Sequence, residues 1–81
     1  MVYVDRLRDW GWRLGPSCHL AADTLEELHA FAARLGLKRA WFQAGRRPHY
    51  DLTAKRREAA VKAGAVEVGD RAFLRLFKRE G

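Results

Sequence analysis

Cys18-His19-Leu20-Ala21-Ala22-Asp23-Thr24-Leu25-Glu26-Glu27-Leu28 decides how this chain is read. Its first half is short, apolar and free of turn residues, and reads as a strand. Its second half begins a helix. Thr24 and Glu27 form a capping box, in which the Thr24 hydroxyl accepts from the Glu27 amide and Glu27 reaches back. Leu25, Leu28, Ala32 and Leu35 then recur at spacings of 3, 4 and 3, with Phe31 beside them, so one helical face is apolar. Gly36 is the expected stop. A helix over residues 24–35 follows directly from a strand, and that order points to α/β layering.

Outward from this pair, the same rules give the remaining elements. Val2-Tyr3-Val4 reads as a short strand. Residues 5–16 lack a clear period and contain Gly11, Gly15 and Pro16, so they read as a loop holding Trp10 and Trp12. Ala40-Trp41-Phe42-Gln43 reads as a further short strand. Pro48 biases Arg47 away from helix. Asp51 or Thr53 caps a second helix running to Ala63 and closed by Gly64. Ala65-Val66-Glu67-Val68 reads as a strand. Asp70 caps a last helix over residues 71–79, with Phe73, Leu76 and Phe77 on one face. The fold class expected is α/β: a single domain over residues 1–81, with a small mixed three- to four-stranded sheet packed with about three helices, mostly on one face.

Composition sets bounds. The chain has 81 residues, 48% hydrophobic and 32% charged, as a soluble globular domain has. No apolar run approaches the roughly 20 residues of a membrane span. The start, Met1-Val2-Tyr3-Val4-Asp5, lacks the basic and long apolar regions of a signal peptide. Cys18 is the single cysteine, which rules out an intrachain disulfide and suits a cytoplasmic location. Adjacent strand residues face opposite ways, so Cys18 reads as a small buried residue and not as a nucleophile partnered by His19. Lys and Arg number 16 against 10 Asp and Glu, a net charge of +6. That excess favours anionic partners, either nucleic acid or a phosphate-bearing small molecule. So short a chain buries little surface, and the Trp-rich arm near residues 10–14 suits an interface, so a homo-oligomer is expected.

The order of motifs resembles a bacterial and phage family of uncharacterised proteins, the domain-of-unknown-function family 4031. The pieces that carry the resemblance are Val2-Tyr3-Val4-Asp5, His19 with Ala22-Asp23-Thr24, and Glu26-Glu27-Leu28-His29. Trp41-Phe42-Gln43, His49-Tyr50-Asp51, Arg57 and Gly64-Ala65-Val66 follow in order. The loop between Gln43 and His49 is shorter here than in the family pattern. The resemblance implies a compact α/β domain and no reaction, since none is established for the family, and it names no cofactor.

Candidate chemistry gathers at two strand-to-helix junctions. His19 and Asp23 stand at the first, His49 and Asp51 at the second. Ligands collect beyond the carboxyl ends of strands in such sheets. If the junctions share an edge, His19, Asp23, His49 and Asp51 are candidate metal ligands, and His19, His49 and Asp51 candidate acid–base or hydrolytic groups. The spacing matches no HExxH or CxxC signature. The plainer reading makes Asp23 and Asp51 helix caps, each contributing about 1 kcal/mol, and the histidines structural. His29, bordering the apolar stripe, reads as a partly buried structural residue.

Arg57 follows Ala54 and precedes Val61 on an apolar stripe, so it needs an anionic partner: Asp51, Asp23 or a bound phosphate. Arg46, Arg47, Tyr50, Arg57 and Gln43 are the candidate ligand-binding residues. Arg46, Arg47, Lys55 and Arg56, with Lys38 and Arg39 upstream, form a basic rim beside Trp41, Phe42 and Tyr50, suited to phosphate attraction and base stacking if the rings are exposed. Buried rings make Trp41 and Phe42 ordinary core, the reading favoured here. Three functions follow: a small basic anion-binding module for nucleic acid or a nucleotide, a hydrolase or metal-assisted phosphoesterase using His19, His49 and Asp51, or a structural subunit without a ligand.

Overall fold

The computed structural model describes residues 1–11, 13 and 15–77. Four strands form one sheet: β1 (Val2–Val4), β2 (Ser17–Ala22), β3 (Tyr50–Thr53) and β4 (Val66–Glu67). Their order is β3-β2-β1-β4. β1 and β3 run antiparallel to β2, and β4 runs parallel to β1. The α-helices are α1 (Leu25–Arg34), α2 (Ala54–Lys62) and α3 (Asp70–Arg75). This is a small mixed α/β sheet with three helices, as expected in class, but its third strand is Tyr50–Thr53 and not residues 40–43. No helix among the described residues is long and apolar enough to cross a membrane.

Strand alternation sorts the side chains onto two faces. Val4, Leu20 and Tyr50 lie side by side in register, as do Cys18 and Leu52. All five are buried, in one cluster with Leu28, Phe31 and Ala32 of α1 and Ala60 of α2. Burying a leucine side chain contributes about 1.5–3 kcal/mol, so Leu20, Leu28 and Leu52 are principal terms. Burial pushes the Cys18 thiol up to about 12, so it stays protonated. The opposite face carries Tyr3, His19 and Asp51. There α3 lays Phe73 beside the His19 ring, 5.9 Å between centroids, with Phe73 buried. Two helices thus cover one face and α3 part of the other.

The helix ends follow local chemistry, with differences from the sequence reading. Thr24 Oγ1 accepts from the Glu27 amide at 3.1 Å. Glu27, however, turns its carboxylate to the Met1 amine instead of closing the box. Leu25 is half exposed, and Phe31 takes its expected place in the core. Gly36 adopts φ 81° while Leu37 N–H donates to Ala32 O and Gly36 N–H to Ala33 O, a Schellman closure. Gly64, at φ 113°, closes α2 the same way, with Ala65 N–H on Ala60 O.

Thr53, not Asp51, caps α2, accepting from the Arg56 amide. Gly69 stands at the N-cap of α3, so Asp70 is its first residue and pairs with Arg8 instead. Ala40-Trp41-Phe42-Gln43 is not a strand: Arg39–Trp41 is a 3-10 turn, and only Gln43 pairs, with His49. The part of the last helix expected over residues 78–79, and Trp12 of the interface arm, lie outside the described residues.

Candidate functional site

Asp5, His19 and Asp51 form a row across β1, β2 and β3. His19 and Asp51 are register partners. Asp5 extends β1 by one residue, its N–H donating to His19 O at 3.3 Å. His49 precedes Asp51 by two residues, so alternation sets both on the same face as His19. A tight return fixes His49: Gln43 and His49 exchange both backbone hydrogen bonds, at 2.9 and 3.1 Å, around residues 44–48.

The imidazoles are held by their Nδ1 atoms. Asp5 accepts two hydrogen bonds from His19, from the backbone N–H at 2.6 Å and from Nδ1 at 2.8 Å. His49 Nδ1 lies 2.6 Å from Arg47 O. Carboxylates and carbonyls only accept, so both rings carry hydrogen on Nδ1. Each Nε2 is thereby turned to Asp51 Oδ1, at 3.8 Å from His19 and 3.4 Å from His49. The rings meet edge to face, 4.9 Å between centroids. Gln43 Nε2 donates to the other Asp51 oxygen. The Asp5 hydrogen bond, outweighing burial, raises the pKa of His19.

One ligand atom from each of His19, His49 and Asp51 lies within 4.8 Å of the others. Tetrahedral donors about 2 Å from a zinc ion stand roughly 3.3 Å apart, so small side-chain rotations would close this set on one ion. All three side chains are between a fifth and a third exposed, leaving a side open to a further ligand. Beside them lies a cleft of about 310 Å³, lined by Asp5, Arg8, Trp10, Arg47 and Asp70 and floored by Phe73.

The other residues singled out in the sequence fall elsewhere. Asp23 sits beyond the end of β2, its carboxylate engaged by Tyr3 Oη and the Met1 amine. It neither joins the histidines nor caps α1, because Thr24 takes the cap. Tyr50 faces the core, 1% exposed, and bonds His29 Nδ1 at 2.9 Å. Arg57 meets neither Asp51 nor Asp23: Nε donates to Asp5 O at 2.9 Å, and a terminal nitrogen pairs with Glu67 at 3.1 Å. Arg47 lines the cleft, while Arg46 lies toward Pro48 and Asp23. Phe42 packs on the core. Trp41 does not: it is 44% exposed, flanked by Lys38 and Arg56 at 5.8 and 5.4 Å from its ring.

The expected location also shifts. His19 is mid-strand, and the cluster forms across neighbouring strands on an open sheet face, not beyond the strand ends. Sequence reading passed over Asp5 as the first residue of the loop expected over residues 5–16. The alternation that turns Val2 and Val4 inward already turned Asp5 outward, beside His19.

A small α/β protein with two imidazoles and one carboxylate gathered on the sheet face that α3 covers only in part is the class these features define. The chain belongs to the family described as Protein of unknown function (DUF4031), whose model matches residues 2–80. No curated protein and no solved structure matches it.

Proposed function

We propose that His19, His49 and Asp51 hold one divalent transition-metal ion, and that the protein is a metal-dependent hydrolase of a phosphate-bearing small molecule. The observation that carries this reading is the convergence of two Nε2 atoms on one carboxylate oxygen, each ring being tied behind by its Nδ1. With Nδ1 tied behind, the Nε2 of each ring points at the carboxylate, and once free of a proton the two lone pairs and the carboxylate oxygen make a donor set that a cation would complete. Ligating histidines commonly donate their second N–H to a carboxylate or carbonyl, which orients the ring and strengthens the ligand.

Three protein ligands with an open side suit a metal that binds and acidifies water. The step balances simply: a water oxygen bonds to phosphorus, the ester P–O bond breaks, and the departing oxygen takes the proton. Arg47, on the cleft, is the candidate for the phosphoryl oxygens, with Arg8 a second only if it leaves Asp70, whereas Arg57 is occupied by Asp5 and Glu67. Equilibrium dialysis of the metal-stripped chain against Zn²⁺ tests the reading. One tightly held ion is expected. Binding no tighter in the wild type than in His49→Ala overturns it.

A second reading, an anion-binding module for nucleic acid, is favoured by Trp41, exposed between Lys38 and Arg56. It expects salt-sensitive binding of single-stranded oligonucleotides, weakened by Arg46→Ala with Arg47→Ala. Unchanged fluorescence anisotropy at low salt rules it out.

A further inference from the structure

We infer that the cleft takes a small phosphate or phosphonate compound bearing an aromatic ring, and takes it only when the metal is bound. This rests on the metal-centre reading and adds the chemical class of its ligand. Two observations carry it, one of charge and one of shape.

The first is that the cleft is not an anion site by itself. Its walls set Arg8 and Arg47 against Asp5 and Asp70, two charges of each sign, with Arg8 already paired with Asp70. Asp51 adds a third carboxylate next to the cleft, beside the imidazoles. A dianion entering this field meets repulsion at its inner end. A divalent ion on His19, His49 and Asp51 reverses the sign where a phosphoryl oxygen would sit. The guanidinium groups then add to the attraction. Metal and anion therefore bind in that order.

The second is the apolar side of the cleft. Trp10 is 51% exposed and stands edge-on to His19, 6.1 Å between centroids. Phe73 and Phe77 continue the wall, with rings 5.4 Å apart. A phosphate alone would leave Trp10 in water, whereas a planar group attached to it would lie against that ring, above the buried Phe73. The volume, about 310 Å³, stands at the small end of ligand pockets and suits a single ring system with its phosphate, not a polymer.

Calorimetry of the full chain, with and without one equivalent of Zn²⁺, tests this with phenylphosphonate and methylphosphonate. Neither has an ester bond to hydrolyse, and they differ only in the ring. The Zn²⁺-loaded chain is expected to bind phenylphosphonate at least tenfold more tightly than methylphosphonate. The metal-free chain is expected to bind both at least tenfold more weakly, and Trp10→Ala to shrink the preference for the ring. Equal affinities for the two probes, or affinities that ignore the metal, overturn the inference. Zn²⁺ uptake without binding of either probe overturns it too, while leaving the metal centre standing. Failure to take up Zn²⁺ removes the metal-centre reading and this inference together.

Discussion

His19 and Asp51 face each other across the antiparallel register of β2 and β3, with the imidazole Nε2 3.8 Å from the carboxylate Oδ1. Both side chains project from the sheet face that α1 and α2 leave uncovered, and Asp5 holds the far side of the same ring. A one-residue slip of β3 would turn Asp51 into the core and Leu52 out of it. The packing of Leu52 and Tyr50 therefore fixes the register that sets the two polar groups together.

Asp5 acts through His19. Replacing it with Asn removes the charge and sets an amide where an acceptor is needed, so the ring loses its orientation. Asp5→Asn is expected to weaken Zn²⁺ binding by 10- to 100-fold, the range typical of such supporting carboxylates. Competition against a chromophoric chelator measures this. An unchanged affinity would show that Asp5 merely links β1 to β2.

Two histidines should titrate on opposite sides of 6.5 in the metal-free chain, as read by NMR of the ring protons. His19 is raised by its hydrogen bond to Asp5. Its contribution to stability is complete below 6.5 and is lost as pH rises through the raised folded value. His29 is lowered, by burial and then by Arg39. Protonation therefore favours the unfolded chain, and His29 takes stability away as pH falls below 6.5. Coincident titration of the two would contradict both assignments.

Thr53 and Asp51 should separate cap from site. Thr53→Ala removes the acceptor for the Arg56 amide and is expected to cost about 1 kcal/mol in urea unfolding. Its Zn²⁺ affinity should be that of the wild type. Asp51→Asn is expected to lower Zn²⁺ affinity at least 100-fold while unfolding within about 1 kcal/mol of the wild type. The reverse pattern would make Asp51 a structural residue.

Arg57→Met should act on stability. It leaves the Asp5 carbonyl without the guanidinium and Glu67 without its partner. A loss of about 1–3 kcal/mol is expected from the abandoned partly buried carbonyl. Denaturant unfolding reads it, and stability equal to the wild type would mean that water replaces the guanidinium fully.

Tyr50→Phe should be felt in the core. The ring is retained, and the bond to His29 is lost, so a cost of about 1 kcal/mol is expected. Phenylphosphonate affinity of the Zn²⁺-loaded chain should not move. A loss of affinity without a loss of stability would return Tyr50 to the ligand side.

What could be read along the chain was whatever short-range chemistry controls. Thr24 caps α1, Gly36 and Gly64 stop helices, and alternation in Cys18-His19-Leu20 separates a buried thiol from an outward imidazole. Each depends on atoms a few residues apart, so the local sequence suffices. Tertiary structure alone decided which outward groups meet. His19 and Asp51 are neighbours only because β2 and β3 pair in one register, and His49 joins them only through the return from Gln43. Arg57 finds a carbonyl 52 positions away, and Trp41 is exposed because a 3-10 turn replaces the expected strand. Such contacts depend on how helices and strands pack over long sequence separations, which neither spacing nor periodicity encodes.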